Sequence, residues 1–270
     1  MEQVFSQREW QHIPLKPLAS GGAAQVADRA LYSAFYERWL AKGQALSPEW
    51  LAVKRRIGEW LEAECVAPLR TSGSVRVFSV GAGLGVVERA LWERGCRVDV
   101  LECEGHSLRY LATQVPGVLG VIGDARQLPC RTGLYDVVYL STVDYCFDHA
   151  QYVQVLREMG RIMRPEGRAV VICTSNLSLI DIARGAVKRV VVHRSASHDD
   201  GQVLWGYRRT VGAHLRAGRA AGLVSDGVYL FDQGFRLRTI RRSGSWHAGW
   251  PTLGEAMVAV VFKQSGDAAT

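Results

Sequence analysis

The chain has 270 residues, 48% of them hydrophobic, and a formal net charge of +7. That length can bury a full core, and the apolar fraction argues against extensive disorder. No run reaches the roughly eighteen to twenty apolar residues needed to span a bilayer, and the polar start Met1-Glu2-Gln3 has no secretory apolar segment, so a cytoplasmic protein is expected. The six cysteines, at 65, 96, 103, 130, 146 and 173, show no Cys-x-x-Cys spacing. Several lie in apolar strand patterns, where a reduced thiol packs as a small hydrophobe, so neither a disulfide nor a metal site is expected.

Residues 1–70 read as a helical cover. Ala30 to Leu40 places apolar residues three and four apart, with Tyr32, Phe35, Tyr36 and Trp39 forming an aromatic stripe. Such a stripe is packing first, with Tyr32 and Tyr36 as candidate pocket residues. Ser47-Pro48 opens a second helix, serine as cap and proline at the first position, running through Leu51, Val53, Ile57, Leu61 and Cys65 and ending before Pro68.

Val77-Phe78-Ser79-Val80 is a short apolar strand pattern that feeds Gly81-Ala82-Gly83-Leu84-Gly85 and then a helical run, Val86 to Arg94. Glycines there permit a tight turn and a close backbone approach to a nucleotide. Arg97 to Glu102 is a second strand ending in an acid, seventeen positions beyond Gly85. A carboxylate at that strand end can accept both ribose hydroxyls of an adenosine. Asp99 and Glu104 compete locally with Glu102 and are read as solvated surface acids. A third strand, Val118 to Ile122, closes on Gly123-Asp124-Ala125, and a fourth, Tyr135 to Leu140, on Ser141-Thr142-Val143-Asp144.

These motifs resemble the class I S-adenosylmethionine-dependent methyltransferases over roughly residues 75 to 175. The resemblance implies a seven-stranded, mostly parallel, doubly wound α/β sheet with a C-terminal antiparallel strand, an N-terminal helical cover and an acceptor-side insertion at about 176–209. It implies S-adenosylmethionine as cofactor, held by Val80, Gly81, Ala82, Gly83 and Gly85 at the glycine turn, Glu102 and Cys103 at the ribose, Asp124 and Ala125 at the adenine, and Ser141 at the fourth strand end. Leu156 to Arg168 resembles the family's helix and turn before the fifth strand, with Glu166 where many relatives carry glycine. Tyr145 stands where many relatives have histidine, so a histidine base does not carry over. A dinucleotide oxidoreductase shares the glycine turn and acid, but its spacing is Gly-x-Gly-x-x-Gly, whereas the glycines here alternate and Val86 follows.

After a fifth strand, Arg168 to Cys173, the strand-helix rhythm stops. Asn176 to Arg194 and the polar Ser195 to Gly201 read as a helix pair or flap shaping the acceptor pocket, to which Tyr32, Tyr36, His149, Asn176, Trp205 and Tyr207 are assigned. Thr210 to Ala221 reads as a helix closed by Gly222, Val228 to Phe231 and Ala256 to Lys263 as the final antiparallel pair, and 266–270 as a polar tail. For chemistry, Asp144 and Tyr145 follow the fourth strand, and His198 is a base candidate in the insertion. Asp148 begins the next helix and fits a cap.

Between Asn176 and Ser245 twelve Arg or Lys face five Asp, so this stretch carries the whole net charge of +7. Such a field concentrates anionic acceptors, although arginines also commonly decorate solvated faces. The expected activity is methyl transfer to an oxygen or nitrogen of a small biosynthetic acceptor, anionic or sugar-containing. A tRNA or rRNA methyltransferase is the alternative, and a non-catalytic cofactor-binding subunit the second. The sequence carries no signal for oligomeric state.

Overall fold

The computed structural model describes residues 29–41, 43, 47–70, 73–174, 176–180, 183, 207–242, 249–250, 252–255 and 257–265. His198 and Trp205, the start of the chain before Arg29, most of the expected insertion and the tail lie outside them.

Two helices precede the sheet, α1 (Arg29–Ala41) and α2 (Pro48–Leu61). The Ser47 side chain accepts the Trp50 amide hydrogen at 3.2 Å, so the serine-proline start acts as expected. The helical path continues through Cys65 as expected, but beyond Leu61 it widens into a π-helical segment, Glu62–Val66, and then tightens through Ala67–Leu69 at Pro68.

The chain then winds β1 (Arg76–Val80), α3 (Val86–Trp92), β2 (Arg97–Glu102), α4 (His106–Gln114), β3 (Leu119–Ile122), β4 (Tyr135–Ser141), α5 (His149–Ile162), β5 (Met163–Cys173), α6 (Val211–Ala220), β6 (Leu223–Phe231), β7 (Leu237–Arg242) and β8 (Met257–Gln264). These strands form one sheet in the order β3-β2-β1-β4-β5-β8-β6-β7. Pairing is parallel from β3 to β5, and β8 runs antiparallel between β5 and β6. The parallel, doubly wound sheet and its antiparallel C-terminal strand are as expected.

The sheet has eight strands, one more than the sequence suggests. The addition is β7, which hairpins off β6 through a turn in which Asp232 Oδ1 accepts the amides of Gly234 and Arg236 at 2.8 and 2.9 Å. Leu237-Arg-Thr-Ile-Arg-Arg has too many charges to read as a strand, yet it pairs as one because it is an edge. Its arginines leave that edge unattractive to further strands, so Arg238, Arg241 and Arg242 have a structural use within the basic stretch.

Each sheet face has its own core. Phe78, Val80, Val138, Leu140 and Val171 pack under α5 and α6, where Tyr152, Leu156 and Met159 are fully buried. Val77, Val100, Val137 and Val170 pack under α2 and α3 with Ile57, Leu61 and Leu91. Gly58 lets α2 and α3 meet closely, since a Cβ there would lie 2.8 Å from the Ala90 Cβ. Phe35, Tyr36 and Trp39 of α1 form a third, small cluster, with Trp39 edge-on to Tyr110 of α4 at 6.0 Å. Thus α1 lies over the carboxyl ends of the strands, where open sheets of this type bind ligands.

Candidate active site

At the carboxyl edge the glycine turn has φ of +78°, +59° and +73° at Gly81, Gly83 and Gly85. Only glycine adopts these angles without strain, and space is equally short. A Cβ at Gly81 would lie 2.5 Å from Val143 Cγ2, one at Gly83 2.9 Å from the Tyr36 hydroxyl, and one at Gly85 1.9 Å from Leu111 Cδ1.

Glu102 ends β2 beside this turn and is buried; its carboxylate accepts the Gly83 amide hydrogen. Burial pushes its carboxyl up to about 7, against the pull of that hydrogen bond and with the help of Glu104 and Glu88 nearby. Cys103 follows, half-buried. At the next strand end Gly123 donates to the Glu102 carbonyl at 2.8 Å, Ala125 is buried, and Asp124 is exposed. Asp124 accepts from the Arg126 amide and guanidinium at 2.8 and 2.9 Å, which hold its carboxyl below its ordinary range.

Asp99 and Glu104 are not the solvated acids that their sequence positions suggest. Asp99 accepts the Tyr135 hydroxyl at 3.0 Å and pairs with Arg76. Glu104 is buried and caps α4, taking the Ser107 amide at 2.9 Å together with the His106 amide and the Ser107 hydroxyl. Burial is affordable for both because their oxygens are bonded.

Past β4, Ser141 is buried and its hydroxyl oxygen has no partner among the described residues. Thr142 takes left-handed φ, +62°, rare for a branched residue. Its hydroxyl oxygen accepts from Lys54 of α2 at 2.9 Å. Tyr145 is half-buried, its hydroxyl 3.3 Å from that of Tyr32, which also lies 3.5 Å from Cys146 Sγ. Burial raises the phenol pKa values of Tyr32, Tyr36 and Tyr145. α1 therefore closes this edge with two of the tyrosines singled out in the sequence, one over the glycine turn and one over the β4 loop.

Asp144 points elsewhere. Its side chain is fully buried beside the Cys173 thiol, with Oδ2 4.0 Å from His214 Nε2. Burial lifts its carboxyl to about 6 and drops His214 to about 3, the nearby Arg209 lowering both. The Tyr152 hydroxyl meets His214 Nδ1 at 2.7 Å. Asp144, Cys173 and His214 bring an oxygen, a sulfur and a nitrogen within 4.8 Å of one another, a donor set a metal could use. The adjacent guanidinium of Arg209 opposes a second cation there.

Arg209 organises this side. One terminal nitrogen donates to the carbonyls of Asp144 at 2.7 Å and Tyr207 at 3.2 Å, and the other to those of Phe147 and, at 3.0 Å, Asp148. Its plane lies over the Tyr152 ring at 4.3 Å. Tyr207 is tied in as well, its amide donating to the Tyr145 carbonyl at 2.8 Å.

The remaining assigned residues are dispersed. His149 is exposed at the start of α5, whose cap is Asp148 in a reciprocal box with Gln151. Asn176 is buried and donates to Thr252 at 2.6 Å. Lys54, Glu88, Arg209 and His214 join the site without a motif in the sequence, because each acts across the fold. Glu88, buried beneath β1 and β4, accepts the hydroxyls of Ser79 at 2.7 Å and Tyr139.

Residues 77–167 match the model of a family described as a methyltransferase domain. The fold is that of the class I S-adenosylmethionine-dependent methyltransferases. Among curated proteins this methyltransferase is similar to the biotin biosynthesis bifunctional protein BioHC of Cellvibrio japonicus, 29% identical over 111 residues, which are 40% of this chain and 22% of that protein. The matched segment spans less than half the length of each curated relative in these matches.

Among solved structures it is similar to the protein assigned as a methyltransferase in the complex with the Haloferax volcanii Trm112 methyltransferase activator. That match has a TM-score of 0.58 and 16% identity, covering 88% of this chain and 97% of the other. The CcbJ methyltransferase of Streptomyces caelestis gives 0.53 and 16%, covering 79% and 90%. At such identities the likeness is one of fold. Among the described residues no helix is long and apolar enough to cross a membrane.

S-adenosylmethionine fits the edge. The glycine turn leaves room that a Cβ would fill, the Glu102 carboxyl offers acceptors for ribose hydroxyls, and the unpartnered Ser141 hydroxyl can meet a polar ligand group. When bound, this cofactor supplies an electrophilic methyl group on a sulfonium. The protein's part is to bind the adenosine, align the acceptor and exclude water beneath α1.

Proposed function

We propose that this methyltransferase transfers the methyl group to an oxygen or nitrogen of a small biosynthetic acceptor, with an anionic or sugar-containing compound as the favoured class. The observation that carries this reading is the closure of the β4 loop by α1, through the Tyr32–Tyr145 contact and the seating of Tyr36 on Gly83. A site roofed by a helix suits a compact acceptor better than a base within a folded RNA. The biotin-biosynthesis name of the Cellvibrio japonicus relative points the same way.

In this reading Glu102, Cys103, Asp124, Ala125 and the glycine turn hold the nucleoside, and Tyr145 lines the acceptor side with Tyr32, Tyr36 and Tyr207. Arg209 fixes the carbonyls around Tyr145, so the acceptor loop is set before substrate arrives. Asp144 acts from behind this loop, as the carboxylate that balances Arg209. His198 remains a base candidate, and His149, Asn176 and Trp205 acceptor-side candidates, by sequence position.

Incubating the protein with extracts and cofactor labelled on the methyl group, then identifying the product by mass, tests the assignment. A labelled small molecule is expected. Labelled tRNA or rRNA would replace the acceptor class while leaving methyl transfer intact. No label in any fraction would favour a binding subunit.

A further inference from the structure

Lys54 is a cation beside the loop after β4. It projects from α2 to the loop after β4, donates to Thr142 Oγ1 at 2.9 Å, and lies 5.1 Å from the centre of the Trp50 ring. An ammonium has three donors, and the Thr142 bond is its one hydrogen bond among the described residues. No carboxylate there lies within 4.0 Å of it. The nearest acidic influence is Glu88, whose Oε1 already takes the Ser79 and Tyr139 hydroxyls. Burial lowers Lys54 to about 8, which is what an under-paired ammonium does when removed from water.

The strand order places this cation relative to the cofactor. Glu102 ends β2, the glycine turn follows β1, and Thr142 follows β4, so Glu102 and Thr142 bracket the turn in the order β2-β1-β4. They stand two interstrand steps apart, about 10 Å. With the ribose at Glu102 and the adenine at Asp124 after β3, the amino-acid end of S-adenosylmethionine would extend the other way, toward β4. That end carries a carboxylate, which needs donors. The turn's three glycine amides are committed: Gly81 to the Leu101 carbonyl at 2.8 Å, Gly83 to Glu102, and Gly85 to the Ala82 carbonyl at 3.2 Å. Arg209 is spent on carbonyls, Arg56 on that of Gly234 at 2.8 Å, and Arg126 on Asp124.

We propose that Lys54 anchors the cofactor by its α-carboxylate, with the Thr142 hydroxyl holding the ammonium in place. This rests on S-adenosylmethionine being the cofactor, and it gives α2 a binding role beyond covering the sheet. It also gives a use to the left-handed backbone of Thr142, which turns a side-chain oxygen toward α2 at the strand end.

Calorimetry with S-adenosylhomocysteine and its decarboxylated analogue tests the proposal through the ratio of the two affinities within each variant. Wild type should favour S-adenosylhomocysteine by about tenfold or more, as expected for a charge-assisted pair. Lys54→Met should bring the ratio to within about threefold by weakening S-adenosylhomocysteine, and Lys54→Arg should keep most of it. Should Lys54→Met fail to fold, Lys54→Gln, which retains a donor for Thr142 without the charge, reads the same ratio. An unchanged ratio in the uncharged variant, or a wild-type ratio near one, overturns the Lys54 assignment alone. Wild type that binds neither ligand overturns the cofactor assignment and this one with it.

Discussion

The proposed cofactor edge and the proposed acceptor edge meet at β4 but are built differently. Around β1 and β2 the site is mostly backbone: three glycines in left-handed conformation and one carboxylate taking a turn amide. Beyond β4 it is side chain on backbone, with Arg209 reaching 61 residues back in the chain to hold Asp148 and further to Asp144 and Phe147. The first kind of construction tolerates few substitutions yet is written locally. The second gathers groups distant in sequence, so its failure should affect stability as well as alignment.

The largest expected effect is on the acceptor edge. Arg209→Met should destabilise the fold by about 3–5 kcal/mol, because it strands the buried Asp144 carboxyl and frees the gripped carbonyls. Denaturant unfolding measures this; a loss under about 1 kcal/mol would show that Arg209 is peripheral. Next comes Gly81→Val, which must place a branched side chain at φ +78° and 2.5 Å from Val143. It should cost cofactor binding at least the roughly 1–3 kcal/mol of such strain, while a far-ultraviolet spectrum close to wild type would confirm that the sheet persists.

Glu102→Gln should weaken S-adenosylhomocysteine binding by about 1–3 kcal/mol through loss of a charged acceptor. The pH dependence sharpens this. With the wild-type carboxyl near 7, protonation below that value removes the acceptor, so affinity should rise severalfold between pH 6 and 8 and stay flat in the variant. The smallest effect concerns His214. Its folded pKa is depressed from 6.5 to about 3, so the unfolded state binds the extra proton and stability falls as pH drops from 6.5 toward 3. Asp144, raised to about 6, acts oppositely: its contribution, present below 3.8, is lost as pH rises through 6. Between pH 6.5 and 5, His214→Asn should therefore lose less stability than wild type; an equal loss would place the acid sensitivity elsewhere.

The same contrast explains what could be read from the sequence. Gly81 to Gly85 and Glu102 lie within one strand-turn-helix-strand unit, so spacing alone marked them. The caps at Ser47, Asp148 and Thr210 are likewise local. Lys54 and Thr142 are 88 residues apart and Tyr152 and His214 62, and no motif at either end announces the partner. Its place after β4 marks Asp144 in the sequence, yet which way its side chain turns depends on α6, which packs His214 behind it. The surroundings of Asp99 and Glu104 follow the same logic: their partners Tyr135 and Ser107 decide burial, and charge alone does not. β7 was missed because an edge strand can be arginine-rich where an interior strand cannot.

The central claim is that the β1–β2 edge is an S-adenosylmethionine site. Titrating the purified chain with S-adenosylhomocysteine and with NAD in a calorimeter tests it most directly. One site of about micromolar affinity for S-adenosylhomocysteine, with none comparable for NAD, is predicted. Binding of NAD in preference, or of neither ligand, would contradict it.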